Sequence, residues 1–286
     1  MTDLTLQRRF FAEEVQMAAN IRSAAVVEAL ATIRREQFLP PGPWVVRGEG
    51  DFASPPRQTP DADPRHVYHN LSVGIDPARM LFNGAPGQLA MAIDALQLQP
   101  GGRALHVGAG TGYFTAVMGH CVGPSGRVVA IEVDADLTAK AAANLAPMPW
   151  IDVRQGDASG PLTETFDAVL INAGVTHPLD AWLECLSPGG RLVVPLTATM
   201  SPATPIGKGL LLLVTRTADA STFEVRLLTF VTIFSAVGLR DDAIDSEIGK
   251  AMRRNPVPRL QHLRREAHEP NDTCWLHRDT FCLSLA

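Results

Sequence analysis

The chain of 286 residues is poor in features that would place it outside a cell or on a nucleic acid. It has four cysteines, Cys121, Cys185, Cys274 and Cys282, and only the last two stand near one another. That spacing does not describe a disulfide framework, and it suits a reduced protein. No apolar run approaches the ~20 residues of a membrane-spanning helix, so no membrane partner is expected. Arg8 and Arg9 are followed by Phe10-Phe11-Ala12 and at once by Glu13-Glu14, unlike a signal peptide. A cytoplasmic location is the expectation. The formal net charge is −5 and no basic tract interrupts it, which argues against a broad nucleic-acid footprint. Internal repeats and low-complexity tracts are lacking. With 46% apolar residues the chain can bury a sizeable core, in one large domain or one domain with an appendage.

What the sequence does have is Gly101-Gly102-Arg103-Ala104-Leu105-His106-Val107-Gly108-Ala109-Gly110-Thr111-Gly112-Tyr113. Ala104 to Val107 reads as a strand and Phe114 to Met118 as a helix. A strand, a glycine-rich turn and a helix set a ligand against backbone N–H groups at the helix start. The dinucleotide fingerprint is G-x-G-x-x-G. Here the glycines alternate, and bulky Tyr113 follows the third, which turns the reading from nicotinamide or flavin towards S-adenosyl-L-methionine. Arg127 to Ile131 reads as the next strand and ends in Glu132, about 20 residues past the loop, where a carboxylate meets ribose hydroxyls. Ile151 to Gln155 precedes Gly156-Asp157-Ala158, with Asp157 placed to accept from adenine. Ala168 to Asn172 and Arg191 to Pro195 are further strands. The expected cofactor set is His106, Gly108, Ala109, Gly110, Thr111, Gly112, Tyr113, Glu132, Val133, Gly156, Asp157, Ala158 and Asn172.

Around this core, residues 4–39 read as helical and are stopped by Pro40, Pro41 and Pro43. Residues 42–63 read as an irregular loop, Leu71 to Ile75 as a short strand, Met80 to Pro86 as a turn and Gln88 to Leu96 as a helix. Leu196 to Gly209 reads as a surface loop. Leu210 to Arg216 and Phe223 to Phe234 pattern as strands joined by a turn at 217–222, Asp241 to Arg253 as a helix, and the tail as a final strand pair. The boundaries expected are 1–80 for a helical extension with an active-site loop, 81–200 for the core that binds S-adenosyl-L-methionine, and 201–286 for sheet completion and appendage.

Four stretches resemble the protein-L-isoaspartate O-methyltransferase family: Val26 to Leu30 with Arg35-Glu36-Gln37-Phe38-Leu39-Pro40; Tyr68 to Asn70; His106 to Tyr113; and Gly156-Asp157 through Phe166-Asp167-Ala168 with Pro188 to Pro195. The resemblance spans about residues 20 to 197. It implies an α/β, doubly wound (Rossmann-like) sheet with a helical N-terminal extension and a β-rich C-terminal appendage. It also implies an enzyme that moves methyl from S-adenosyl-L-methionine to a carboxylate of a protein or peptide. The family carries Thr-Ile-Ser-x-Pro before the helix ahead of the sheet, and its hydroxyl helps position the substrate carboxylate. Aligned on Pro86, this chain has Gly84 at that Ser, Asn83 beside it and Phe82 at the Thr. Asn83 offers an amide donor instead, and the chain reads as a divergent branch.

A carboxylate acceptor is already ionised at neutral pH and asks for orientation, not for a strong base. Asn83, Gln88, His69 and Tyr68 are the candidate donors, with Asn83 and His69 carried as the catalytic pair. A hydroxyl or amine acceptor would call on His69, Asp76 or His177 as base. Two rival readings remain at this stage: a nicotinamide oxidoreductase, and a fold that binds S-adenosyl-L-methionine without turnover. Another peptide or small-molecule acceptor is a further alternative. Cys274, His277 and Cys282 lack a clear fourth ligand and the usual paired spacing, so they read as strand packing and no metal is expected.

Overall fold

The computed structural model describes residues 3–48, 54–201, 204–218 and 222–286. The chain divides into two compact units, Met1–Gly156 and Asp157–Ala286.

The first unit opens with α1 (Thr5–Ala19) and α2 (Ala24–Thr32). The expected single helical stretch is broken because Asn20 turns left-handed at φ 52°, and Ser23 then caps α2 through the Val26 amide. A 3-10 turn, Arg35–Phe38, follows. Residues 42–63, expected as an irregular loop, include two short strands. These are β1 (Val45–Gly48) and β2 (Arg57–Gln58), while residues 49–53 lie outside the described set. With β3 (Leu71–Asp76) and β4 (Leu81–Phe82) these strands form an antiparallel sheet ordered β2-β1-β3-β4. β4 falls where a turn is expected from Met80 to Pro86, because a two-residue strand carries no periodicity.

α3 (Pro86–Leu96) starts on Pro86, whose missing N–H costs nothing in a first turn. Asp94 on α3 accepts from the Arg22 and Ser23 amides and so fixes the α1–α2 corner. Three parallel strands then alternate with helices: β5 (Arg103–Val107), α4 (Tyr113–Val122), β6 (Arg127–Glu132), α5 (Ala135–Leu145) and β7 (Ile151–Gln155). Four of the five β5 residues and five of the six β6 residues are buried, the near-continuous burial of a sheet covered on both faces.

In the second unit β8 (Phe166–Ile171) pairs in parallel with β9 (Leu186–Thr199), and α6 (Asp180–Glu184) lies between them in sequence. β9 then pairs antiparallel with β10 (Ile206–Arg216), and β10 with β11 (Thr222–Phe234). The loop expected at 196–209 is therefore largely strand. Thr197 and Thr199 are β-branched, and Gly207 and Gly209 opposite them let the backbones approach. Of the turn after β10, residues 219–221 lie outside the described set. α7 (Asp242–Arg254) buries Ile244, Ile248 and Ala251 along one face and is capped by Asp241. β12 (His262–Arg264), β13 (Cys274–His277) and β14 (Cys282–Ser284) continue the sheet in the order β11-β12-β14-β13. Among the described residues no helix is long and apolar enough to cross a membrane.

Candidate active site

The glycine loop joins β5 to α4. Gly108, Gly110 and Gly112 all adopt positive φ, 79°, 57° and 94°, a backbone that other residues rarely hold. A Cβ at Gly112 would stand 2.8 Å from Leu145 Cδ1, whereas one at Gly110 would meet only Ile75 at 3.5 Å. Four amides of the loop are bonded within the protein. Gly108 and Ala109 donate to the Ile131 carbonyl, Gly112 donates to Ala109, and Gly110 donates to Glu132 Oε2 at 2.7 Å. The loop thus offers bare Cα surface, with three of these donors holding β6 and the fourth closing its own turn. Thr111, nearly buried, lends its carbonyl to Asn144 Nδ2 at 2.9 Å.

Glu132 is 7% exposed and also accepts the Asp134 amide on Oε1 at 3.1 Å. Two of roughly four carboxylate lone-pair sites are used, which leaves acceptor capacity for hydroxyls. Val133 beside it is 44% exposed, unusual for a large apolar side chain in this protein. Asp134 caps α5 through the Leu137 amide and pairs with Arg79 at 2.5 Å. Arg79 also holds Asp76, whose carboxyl lies below its usual range because of that partner. Asp76 is therefore an ion-paired turn residue and no base.

Arg35 is a residue of this region that the sequence does not mark as functional. It is fully buried, and its Nη atoms donate to the carbonyls of Val67 (2.6 Å), His69 (3.1 Å) and Leu71 (2.6 Å) and to Asn83 Oδ1 (3.3 Å). Its guanidinium also lies 5.8 Å from the ring centroids of Phe11 and Tyr113. Burial lowers its pKa to about 10, so the cation persists at neutral pH. The signal was present in Arg35-Glu36-Gln37-Phe38, but an arginine near a helix end reads as a solvated charge.

Asn83 is 9% exposed. Its Oδ1 accepts from the Val73 amide at 2.9 Å and from Arg35, two donors that settle which end of the amide is oxygen. Its Nδ2 is buried without a partner. Tyr113 is likewise buried with an unpartnered hydroxyl. Its ring packs edge-on against Phe38 (5.6 Å) and Phe114 (5.0 Å), and burial pushes its pKa to about 12. Tyr68, a candidate donor from sequence, is committed elsewhere: its hydroxyl donates to Glu36, and burial and that carboxylate raise its pKa. Asn70 takes the Gly87 amide at 2.8 Å in the first turn of α3, one residue before half-buried Gln88. His69 holds its carbonyl on Arg35 and exposes its side chain.

His106 sits in mid-strand, wholly buried, with Nδ1 2.8 Å from Thr115 Oγ1 and Nε2 without a partner. Burial takes its pKa to about 3, so it is neutral at pH 7. Gly156 donates to the Glu132 carbonyl at 2.9 Å. In the second unit, Asp157 is exposed and folds its carboxylate onto the Ser159 amide (2.9 Å) and hydroxyl (2.7 Å). Ala158 takes φ 55° and its carbonyl accepts from Trp182 Nε1. Asn172 follows β8 and is half-buried. His177 stacks on Phe281 at 6.2 Å and contacts Thr176 Oγ1 at 3.0 Å, and burial lowers its pKa.

S-adenosyl-L-methionine can be tested against these observations. A side-chain-free loop, a carboxylate with unused acceptor sites, an exposed apolar Val133 and two buried orphan donors fit such a ligand. Comparison with known proteins agrees. The model of the protein-L-isoaspartate(D-aspartate) O-methyltransferase family matches residues 59–210. The protein-L-isoaspartate O-methyltransferase of Methylorubrum populi is 32% identical over 83% of this chain and 99% of its own. That of Aeropyrum pernix is 29% identical over 80% of each. Among solved structures, a protein-L-isoaspartate O-methyltransferase superposes with a TM-score of 0.63 at 22% identity, covering 87% of this chain and 69% of its own. A Plasmodium falciparum protein of the same description, solved with S-adenosyl-L-homocysteine, gives 0.58 at 17% identity over 80% and 97%. These superpositions show the same α/β fold, with its helical N-terminal part and β-rich C-terminal part. The chain belongs to the protein-L-isoaspartate(D-aspartate) O-methyltransferase family, and it is an S-adenosyl-L-methionine-dependent methyltransferase.

Proposed function

We propose that the protein methylates a carboxylate of a protein or peptide, with the free carboxylate of the isoaspartyl residue named in its relatives as first candidate. The observation that carries this reading is the Asn83 amide. Its oxygen is locked by the Val73 amide and Arg35, and its nitrogen is buried with nothing to bond. A buried, unpartnered donor is costly, of the order of 1–3 kcal/mol, unless a ligand satisfies it. A carboxylate oxygen is the partner it suits.

When bound, S-adenosyl-L-methionine supplies an electrophilic methyl group on a sulfonium. The chain's own residues have the remaining tasks. The glycine loop leaves room for the cofactor. Glu132 accepts from the ribose hydroxyls, and Val133 gives the adenine an apolar surface. Asn83 orients the acceptor carboxylate, and Arg35 holds Asn83 and the 67–71 backbone in place. His69 borders the acceptor. Asp157, Ala158 and Asn172 are assigned to the cofactor from their sequence positions after strands. No general base is invoked, because the acceptor is ionised at pH 7. A reduced, cytoplasmic setting suits the scattered free cysteines.

The test is transfer of labelled methyl to an isoaspartyl peptide and to its aspartyl twin. Label on the isoaspartyl peptide, as a base-labile ester, supports the reading. Label on neither peptide but on another carboxylate in a cell extract retains the reaction and moves the substrate. That outcome has a structural reason, since Gly84 stands where the family has its Ser. Label nowhere overturns the proposal.

A further inference from the structure

We propose that the C-terminal part of the chain binds one zinc ion through His268, Cys274, His277 and Cys282. The four candidate ligand atoms, one from each side chain, all lie within 4.8 Å of one another. In sequence, Cys274, His277 and Cys282 read as strand packing for want of a fourth ligand. The fold supplies the fourth member from the segment between β12 and β13. Zinc with two thiolates at ~2.3 Å and two imidazoles at ~2.0–2.1 Å spaces its ligand atoms about 3.4–3.8 Å apart. His268 Nε2 and Cys274 Sγ already stand 3.5 Å apart.

Three details around the cluster belong to a metal site. His268 Nδ1 lies 3.0 Å from the Glu266 carbonyl. Donation there fixes the tautomer and turns the Nε2 lone pair towards Cys274, the second contact that ligating histidines characteristically make. The Asn271 amide donates to Cys274 Sγ at 3.4 Å, which favours a thiolate. His277 keeps a buried Nδ1 that has no hydrogen-bond partner, and its ring packs edge-on to His268 at 4.7 Å. Two thiolates and one divalent cation sum to zero charge, so the cluster can stay half-buried without an unpaired ion.

The ligands sit on β13, on β14 and in the loop before β13. Strands of three or four residues are too short to hold together alone, and an ion joining them would fix the end of the sheet. All four ligands can be supplied by the chain, so the site is closed and structural, with no open position for catalysis.

The full chain, without a histidine tag, is purified under reducing conditions, and its metal content is measured after dialysis against a weak chelator. About one zinc per chain is expected. Exchange for cobalt should give the visible bands of a tetrahedral ion and a thiolate-to-cobalt charge-transfer band. Strong chelation should lower the Tm and expose Cys274 to a thiol reagent. Cys274→Ser and His268→Ala should lose the metal, while His262→Ala on β12, outside the cluster, should keep it. If a ligand variant fails to fold, the cobalt spectrum of the unmodified chain decides. No metal after dialysis or an octahedral cobalt spectrum would each overturn the proposal.

Discussion

Asn83 is bonded on one side of its amide and free on the other, and a single-atom exchange separates the two. Asn83→Asp keeps the acceptor for Val73 and Arg35 but replaces the free donor with a second oxygen. Transfer to a carboxylate acceptor should fall by about 100-fold or more, as one hydrogen bond to a charged group turns into repulsion. Stability to urea should hold or rise, because buried Arg35 gains a counter-charge. Steady-state kinetics beside denaturation curves would check both halves. Glu132→Ala leaves the Gly110 and Asp134 amides unpaired and removes the proposed ribose acceptor. The affinity for S-adenosyl-L-methionine should weaken about 10–100-fold by calorimetry; unchanged affinity would remove Glu132 from the site. Asn83 was legible because Pro86 sets its register, and Glu132 because a carboxylate ends a strand. Arg35 was not, since its acceptors are backbone carbonyls 32 to 36 residues away and no side-chain pattern announces them.

At the scale of elements, the parallel strands and their helices could be read almost to their ends, because buried strands are short apolar runs bounded by glycine and polar residues. The β9–β10 pair could not. Thr, Ser, Pro and Gly between 196 and 209 carry the composition of a loop, and only pairing reveals them as strand. Gly209 shows why glycine is there: a Cβ would fall 1.9 Å from the Leu196 carbonyl oxygen. Gly209→Ala should therefore cost ~3 kcal/mol or more by forcing the two strands apart, seen as a lower denaturation midpoint with an unchanged slope. α7 is fastened to β9 by a polar cluster. Arg240 donates to Gly174 and Thr197, and pairs with Asp245, which in turn takes the Thr199 amide and hydroxyl. The helix was legible from its apolar spacing; the cluster was not, as its bonded partners are up to 66 residues apart.

For the whole molecule, stability should depend on pH through buried histidine. His106 has a usual pKa of 6.5 when unfolded and about 3 when folded. As pH falls below about 6.5 the unfolded chain takes a proton that the native chain refuses, so stability is lost progressively down to about pH 3. The slope due to this residue is at most ~1.4 kcal/mol per pH unit. His106→Gln should flatten the unfolding free energy between pH 6.5 and 4 by that share, and an unaltered profile would show that the folded His106 already titrates normally. The chain's net charge of −5 sets the background for one last consequence. The Gly110 amide, which a nucleotide-binding turn would turn towards a pyrophosphate, is capped 2.7 Å away by a carboxylate. A pyrophosphate arriving there meets like charge, while the sulfonium of a ligand whose ribose rests on Glu132 meets an attractive field. Dinucleotides and ATP should thus fail to displace the natural cofactor even at millimolar concentration, so the cleft discriminates first by the sign of its guest and only then by its shape.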